Sequence, residues 1–229
     1  MDADLFNKKF EIAQAAVEVY VRQPSDYFIH EVAMTLATDS EHIYHYFKNR
    51  WEILDFYYQS LVTRYRLMTL EIEDYQHFSL AEKLSNFAYS SLGMLGEQKT
   101  FVAQTFDRFV LNASPKSSLE SEAERLLRDF IEEDSFTGNF QAILARYGGY
   151  SILARELLQI VAFWLKDQSS HAETTQAFID KWSRFIEELF YNKILDSGLD
   201  LSKYLMQNRM EGTGISLLGE LIRAPFRSK

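Results

Sequence analysis

The sequence predicts an all-α protein, and three observations support this fold class. The 229 residues include only three prolines and nine glycines, so long stretches carry no helix breaker. Apolar residues recur three and four positions apart along most of the chain, which is the repeat of one helix face. Because 47% of the residues are apolar, the chain can bury a substantial core. We expect a three-helix head, residues 1–50, and a larger antiparallel helical domain, residues 51–229.

The first two helices are predicted on either side of Pro24. The segment IAQAAVEVY, from Ile12 to Tyr20, has the apolar repeat of a buried helix face. After the proline, a second apolar face is formed by Ile29, Val32, Ala33 and Leu36. Both faces should pack inward, so the head should have a core of its own.

A third, short helix is predicted to begin near Thr38. Thr38 and Glu41 have the spacing of a capping box, in which each side chain accepts a hydrogen bond from the other residue's amide. Asp39 or Ser40 is the alternative cap. Two helical patterns joined by so short a turn have the outline of a helix-turn-helix.

Longer helices are predicted after the head. One runs from about Arg50 to Ile72, and Ser79 with Glu82 and Ser117 with Glu120 mark two later helix starts. Breaks are expected at residues 93–100, 112–118, 138 and 148–149. Two strongly amphipathic helices are expected last, over residues 149–166 and 172–195.

Composition limits the classes of function. The chain has no cysteine, so we expect neither a disulfide framework nor a thiolate metal site. It has no basic and apolar leader and no long uncharged apolar run, so we expect a cytoplasmic protein that does not cross a membrane.

Patterns for catalysis and metal binding are also missing. The histidines stand at positions 30, 42, 45, 77 and 171, without the His-Glu-x-x-His spacing of a zinc site. Neither a nucleophile elbow nor a phosphate-binding glycine loop occurs in the sequence. We therefore expect a protein that is not an enzyme and that uses neither metal nor cofactor.

Residues 10–55 carry a motif that resembles a known family. The Val32-Ala33 pair, the run Ile43-Tyr44-His45-Tyr46-Phe47 and the basic Arg50 are similar to the N-terminal signature of the TetR/AcrR family of bacterial regulators. The segment from Ile12 to Tyr20 resembles the helix that opens the three-helix DNA-binding domain of that family. The resemblance implies a helix-turn-helix head and a helical ligand-binding and dimerisation domain.

The turn departs from the family signature. Ala37 replaces the usual glycine, Leu36 a small alanine, Thr38 a valine, and Glu41 a position commonly held by a small residue. An alanine disfavours the left-handed region that such a turn requires, because its Cβ crowds the backbone. We expect a slightly altered turn.

The resemblance implies that the third helix and the start of the fourth contact DNA. Carried over position by position, the contact residues are Ser40, His42, Tyr44, His45, Tyr46, Lys48 and Arg50. Histidines can donate to phosphates or base edges, tyrosines to phosphates, and an arginine supplies an ionic contact. A solvated surface without a partner is the alternative interpretation.

Charge opposes tight DNA binding. The chain carries a formal charge of −9, and residues 1–55 hold five Lys and Arg against ten Asp and Glu, which sums to −5. No Lys or Arg lies between Val32 and Phe47 to bind a guanine, whereas Asp39 and Glu41 would approach phosphates. We expect weak or pH-sensitive affinity for DNA.

The central part of the chain is rich in aromatic residues, which favours a cavity for a small apolar or aromatic effector. The family places its effector pocket in this domain. The candidate ligand-binding residues are Phe87, Phe101, Phe106, Phe109, Phe130, Tyr147 and Tyr150. The alternative is that aromatic residues at helical spacing simply fill the core.

The resemblance also implies a homodimer that pairs through the last two long helices and sets two recognition helices into successive major grooves. The candidate interface residues are Leu157, Ile160, Trp164, Trp182, Phe185 and Leu189. Packing of these residues within one chain is the alternative interpretation.

The leading hypothesis is a homodimeric transcriptional regulator, such as a repressor, that binds a double-stranded DNA operator and responds to a small effector. One alternative keeps the fold without DNA binding, as a carrier of a small molecule or lipid. Another is an adaptor whose acidic and aromatic head binds a basic protein.

Overall fold

The computed structural model describes residues 2–22, 27–133 and 148–191. Regular structure in these ranges is helical, without a strand, which confirms the predicted all-α class. The helices are α1 (Ala3–Arg22), α2 (Phe28–Thr35), α3 (Ser40–Tyr46), α4 (Arg50–Thr69), α5 (Leu80–Gly96), α6 (Lys99–Phe106), α7 (Ser118–Glu133), α8 (Gly149–Lys166) and α9 (Glu173–Tyr191). A π-helical turn, Asp107–Leu111, continues α6, and 3-10 turns span Tyr75–His77 and Ser170–Ala172. Among the described helices, none is both long and apolar enough to cross a membrane.

Two of the predicted helix starts are confirmed in atomic detail. The Ser79 amide donates to the Glu82 carboxylate at 2.7 Å, and the Glu82 amide donates to the Ser79 hydroxyl at 3.3 Å, so this capping box is reciprocal. At the start of α7, the Glu120 amide donates to the Ser117 hydroxyl at 3.1 Å. The Asn49 side chain caps α4, where it accepts from the amides of the first turn.

The helix break predicted over residues 93–100 is present but shorter than expected. Helix α5 continues through Gly93 to Gly96, and the chain turns only there before α6. A methyl-sized group at Gly93 would meet no atom within 4 Å, so no close approach demands a glycine there. A single glycine costs a helix about 1 kcal/mol relative to alanine, which neighbouring turns can absorb. The break predicted at residue 138 and the helix end predicted at residues 192–195 lie outside the described residues.

Contacts divide the chain into two compact units. The first contains Met1–Glu73 and Ser90–Glu122, and the second contains Asp74–Tyr89 and Ala123–Lys229. The first unit therefore groups the three head helices with α4 and α6. The division into residues 1–50 and 51–229 concerns function and stays a prediction.

An aromatic cluster forms the core of the first unit. The Phe101 ring lies 5.5 Å from the Tyr20 ring, 5.4 Å from the Tyr57 ring and 5.6 Å from the Tyr58 ring. The Thr105 hydroxyl donates to the Phe101 carbonyl at 2.7 Å, so the Tyr58 hydroxyl, 2.7 Å away, must donate to the threonine oxygen. Burial raises the pKa of Tyr58. These contacts join α1, α4 and α6.

Polar contacts anchor α5 and α9 to each other in the second unit. The Glu187 carboxylate accepts from the Ala81 amide at 2.9 Å, one of the amides at the start of α5 that lack a helical partner. The Tyr89 hydroxyl donates to the Asp180 carboxylate at 2.7 Å. Desolvation, followed by this hydrogen bond, raises the pKa of Tyr89 to about 12. Asp167 accepts from Ser169 and Thr175, which fixes the turn between α8 and α9.

Replacing Phe101 by alanine should lower the free energy of unfolding by about 3 to 5 kcal/mol, because it opens a cavity under three tyrosine rings. Urea unfolding followed by circular dichroism measures the loss. Leu70→Ala is the matched control, since Leu70 is 81% exposed and its removal should change the value by about 0.5 kcal/mol or less. A similar small loss for Phe101→Ala would contradict the described core.

Candidate nucleic-acid interface

The turn between α2 and α3 is a Schellman motif, a helix end closed by two backbone hydrogen bonds. The Thr38 amide donates to the Ala33 carbonyl at 2.9 Å, and the Ala37 amide donates to the Met34 carbonyl at 3.1 Å. Ala37 has a φ of 51°, in the left-handed region. The expectation that alanine alters this turn is therefore wrong. The two hydrogen bonds and the burial of α2 and α3 hold the backbone in the conformation that glycine usually supplies.

The cap of α3 also differs from the favoured prediction. Asp39, which was the alternative cap, accepts from the His42 amide at 2.7 Å and occupies the N-cap position. The capping box between Thr38 and Glu41 is therefore wrong. The Schellman motif uses Thr38 to close α2, so α3 begins one residue later than the pattern suggests.

Helix α3 exposes the face that the sequence assigns to DNA. Ile43 and Phe47 are buried, whereas His42, Tyr44 and His45 are exposed and Ser40 and Tyr46 are half-buried. The Tyr44 side chain is 55% exposed. Helix α3 is thus held by an apolar anchor and presents polar and aromatic groups to solvent.

The aromatic groups on α3 support one another. The Tyr46 ring meets the His42 ring edge-on at 5.2 Å and the His45 ring at 5.0 Å. The three side chains are therefore partly ordered before any partner binds.

The remaining predicted contacts lie at the start of α4. The Lys48 amide donates to the Glu52 carboxylate at 2.7 Å, and the Asn49 side chain accepts from the Trp51 amide at 2.9 Å. The Arg50 guanidinium lies over the Trp51 ring, 4.3 Å from its centre. These bonds fix the backbone from which Lys48 and Arg50 project.

A groove of about 450 Å³ brings several of the predicted residues together. Tyr44, His45, Tyr46 and Lys48 line it, as do Lys9 from α1 and the acidic Glu52 and Asp55 from α4. Ser40, His42 and Arg50 are not among its lining residues. This groove is therefore of mixed charge, because Lys9 and Lys48 line it together with Glu52 and Asp55.

Asp55 lies between this groove and a second cleft, and it lines both. The Ser118 hydroxyl donates to its carboxylate at 2.8 Å. Burial raises the pKa of Asp55, and the hydrogen bond from Ser118 opposes that shift. No feature of the sequence around Asp55 pointed to this position, since its partner lies far along the chain.

The predicted ligand-binding residues are divided between the two compact units. Phe101, Phe106 and Phe109 belong to the first unit, and Phe87, Phe130 and Tyr150 belong to the second. All except Phe109 are buried, and Tyr147 lies outside the described residues. Phe101 and Phe106 pack against Tyr58 in the core described above. Their role in binding an effector remains a prediction.

The predicted interface residues on α8 and α9 are largely covered by their own chain. Leu157, Ile160, Trp164 and Trp182 are each at most 8% exposed within the single chain, and their role in a dimer interface remains a prediction. Phe185 and Leu189 are half-buried. The pattern of apolar residues finds the buried face of each helix but does not say which molecule buries it.

Helices α8 and α9 each carry one exposed phenylalanine, and the apolar pattern of the sequence missed the one on α8, Phe163. Phe163 is 44% exposed and Phe178 is 42% exposed, and their ring centres lie 6.2 Å apart. They line a groove together with Glu156, Gln159, Ala162 and Lys166. Phe163 directly precedes the buried Trp164, and adjacent residues of a helix point in different directions. An aromatic residue outside the buried face of α8 was therefore the signal in the sequence that Phe163 is exposed.

Comparison with known proteins adds one finding. A family model described as the C-terminal domain of tetracyclin repressor-like proteins matches residues 83–205, more than half of the chain. The match lies wholly after residues 10–55, which carry the N-terminal motif, so the two observations are independent. No curated protein sequence matches the chain.

Replacing Ala37 by glycine should raise the free energy of unfolding by about 0.5 to 1 kcal/mol, because glycine adopts the left-handed conformation without a Cβ clash. Ala33→Gly, within the helix that precedes this turn, is the matched control. Ala33 is fully buried in α2, so that change should instead cost about 1 kcal/mol or more. Equal destabilisation by both variants in urea unfolding would argue against a left-handed turn at Ala37.

Proposed function

The chain belongs to the TetR family, and on this premise we propose that it is a homodimeric DNA-binding transcriptional regulator whose operator binding responds to a small apolar or aromatic effector. The observation that carries the proposal is the exposed face of α3. A Schellman turn precedes this helix, Asp39 caps it, and its buried residues Ile43 and Phe47 hold it in the head. A helix held in this way is suited to enter a major groove.

In this proposal, the protein contacts both the base edges and the phosphate backbone of the DNA. Tyr44 and His45 project from the exposed face of α3 and supply contacts to base edges or phosphates, while Lys48 and Arg50 at the start of α4 supply ionic contacts. Few cations are present, so the ionic part of the affinity is small and low salt is needed to observe it.

Dimerisation in this proposal uses the groove between Phe163 and Phe178 rather than the buried stripe. Two exposed aromatic residues rimmed by Glu156 and Lys166 have the composition of an interface centre with a polar edge. Pairing about a twofold axis repeats this patch against itself and duplicates α3. Binding of an effector in the helical domain then shifts the population between two spacings of the heads.

A carrier that binds a small molecule or lipid without DNA is the second candidate. The acids at the start of α3 favour it, since Asp39 and Glu41 lie where a phosphate backbone would approach. The two functions differ in one measurable property, which is affinity for duplex DNA at low salt.

Selection from random duplexes at low salt should enrich a sequence with two half-sites about one helical turn apart. Tyr44→Ala and Arg50→Ala should each weaken binding of the enriched duplex by roughly tenfold, by loss of one contact from α3 and one from α4. The exposed Leu70→Ala is the control and should leave affinity unchanged. Absence of enrichment would leave the carrier as the better proposal.

Replacing Phe163 by aspartate should convert the dimer to a monomer, because it places a charge in the centre of the apolar patch. Size-exclusion chromatography with light scattering gives the mass. Leu70→Asp is the control, since it introduces the same charge at another exposed apolar position. A dimer that survives Phe163→Asp would place the interface elsewhere.

A further inference from the structure

Two arginines share one tryptophan beside the candidate interface. The Arg50 guanidinium lies 4.3 Å from the centre of the Trp51 ring, and the Arg108 guanidinium lies 4.6 Å from the same centre. Phe109 packs on this tryptophan, with ring centres 5.9 Å apart. Arg108 belongs to the π-helical turn after α6, so a residue far along the chain is brought next to a predicted DNA contact.

Both guanidinium groups are available to an anion. In the described ranges, neither Arg50 nor Arg108 forms an ion pair with a carboxylate, and Arg108 is exposed. A guanidinium held against an aromatic ring loses little further freedom on binding and still has five N–H donors to offer. Two such groups on one ring repel each other, and an anion between or beside them relieves that repulsion.

Glu52 and Asp55, the acids that line the cleft with Arg108, are hydrogen-bonded to groups other than the two arginines. The Glu52 carboxylate accepts from the Lys48 amide, and the Asp55 carboxylate accepts from the Ser118 hydroxyl. Lys116, which lines the same open cleft of about 570 Å³ as Arg108, lies 3.9 Å from the Glu120 carboxylate. Of the two cations that line this cleft, Arg108 is therefore the one without a carboxylate partner among the described residues.

We propose that Arg108 is a second arginine contact to the DNA backbone, which binds a phosphate together with Arg50 across the Trp51 ring. The proposal rests on the proposed function, because it requires duplex DNA at α3 and α4. Each guanidinium carbon lies within 4.6 Å of the centre of the Trp51 ring, which places both cations within reach of one stretch of phosphate backbone. Arg108 lies outside residues 1–55, and its positive charge offsets part of the net negative charge of the head.

The position of Arg108 also connects effector binding with operator binding in the proposed regulator. It lies within residues 83–205, the segment that matches the family's C-terminal domain. Any rearrangement of the turn after α6 moves Arg108 relative to Arg50 and changes one ionic contact directly. This gives the effector domain a route to operator affinity besides a change in the spacing of the heads.

The test is a salt series with full-length protein and two fluorescent duplexes, the selected sequence and a shuffled version of the same composition. For Arg108→Gln, the slope of log affinity against log salt should fall by about 0.9, with a roughly threefold to tenfold loss of affinity for both duplexes. Arg108→Lys should recover the slope, since lysine also neutralises a phosphate. Circular dichroism and thermal unfolding check that each variant is folded.

Lys99→Gln is the matched control, because it removes one exposed positive charge at the other end of the same helix, roughly 13 Å away along the axis. Its salt slope should equal that of the wild type. An unchanged slope for Arg108→Gln, or an equal loss of affinity at every salt concentration, overturns the phosphate contact while the regulator remains. If the wild type binds neither duplex at low salt, both proposals fail together.

Discussion

The first compact unit depends on the burial of the aromatic face of α4. Phe56 packs against Phe47 and Phe6 of the head, with ring centres 5.5 and 6.1 Å apart. One and two positions later, Tyr57 and Tyr58 pack against Phe101 of α6. A single helix therefore presents one set of rings to the head and another to α6. Aromatic side chains bury more area than any other residues, so this face stabilises both sets of contacts at once.

The start of α4 adds polar contacts to this aromatic frame. Asn49 caps the helix, Glu52 accepts from the Lys48 amide, and Asp55 accepts from Ser118. The acids of α4 therefore have structural partners, but a hydrogen bond from an amide or hydroxyl does not cancel the charge of a carboxylate, so these acids still oppose DNA binding.

The backbone geometry of the turn does not require the family's usual residues. Ala37 stands where glycine is usual, yet it keeps a φ of 51° because two hydrogen bonds and the burial of Val32, Ala33 and Ile43 determine the path of the chain. The strain is of the order of 1 to 2 kcal/mol, small enough for the packed head to offset. A degenerate signature is thus compatible with an intact helix-turn-helix geometry.

The sequence alone determined the helical class, most helix positions, the Ser79 cap and the exposed face of α3, because these follow from local spacing and capping chemistry. The cap at Asp39 and the left-handed Ala37 depended on how the two head helices close against each other. Only the tertiary structure placed Trp164 and Trp182 in the core of their own chain and left Phe163 exposed. It also brought Arg108 onto Trp51, a contact between residues distant in sequence. Periodicity reports that a helix has an apolar face, but which surface covers that face is decided by packing of the whole chain.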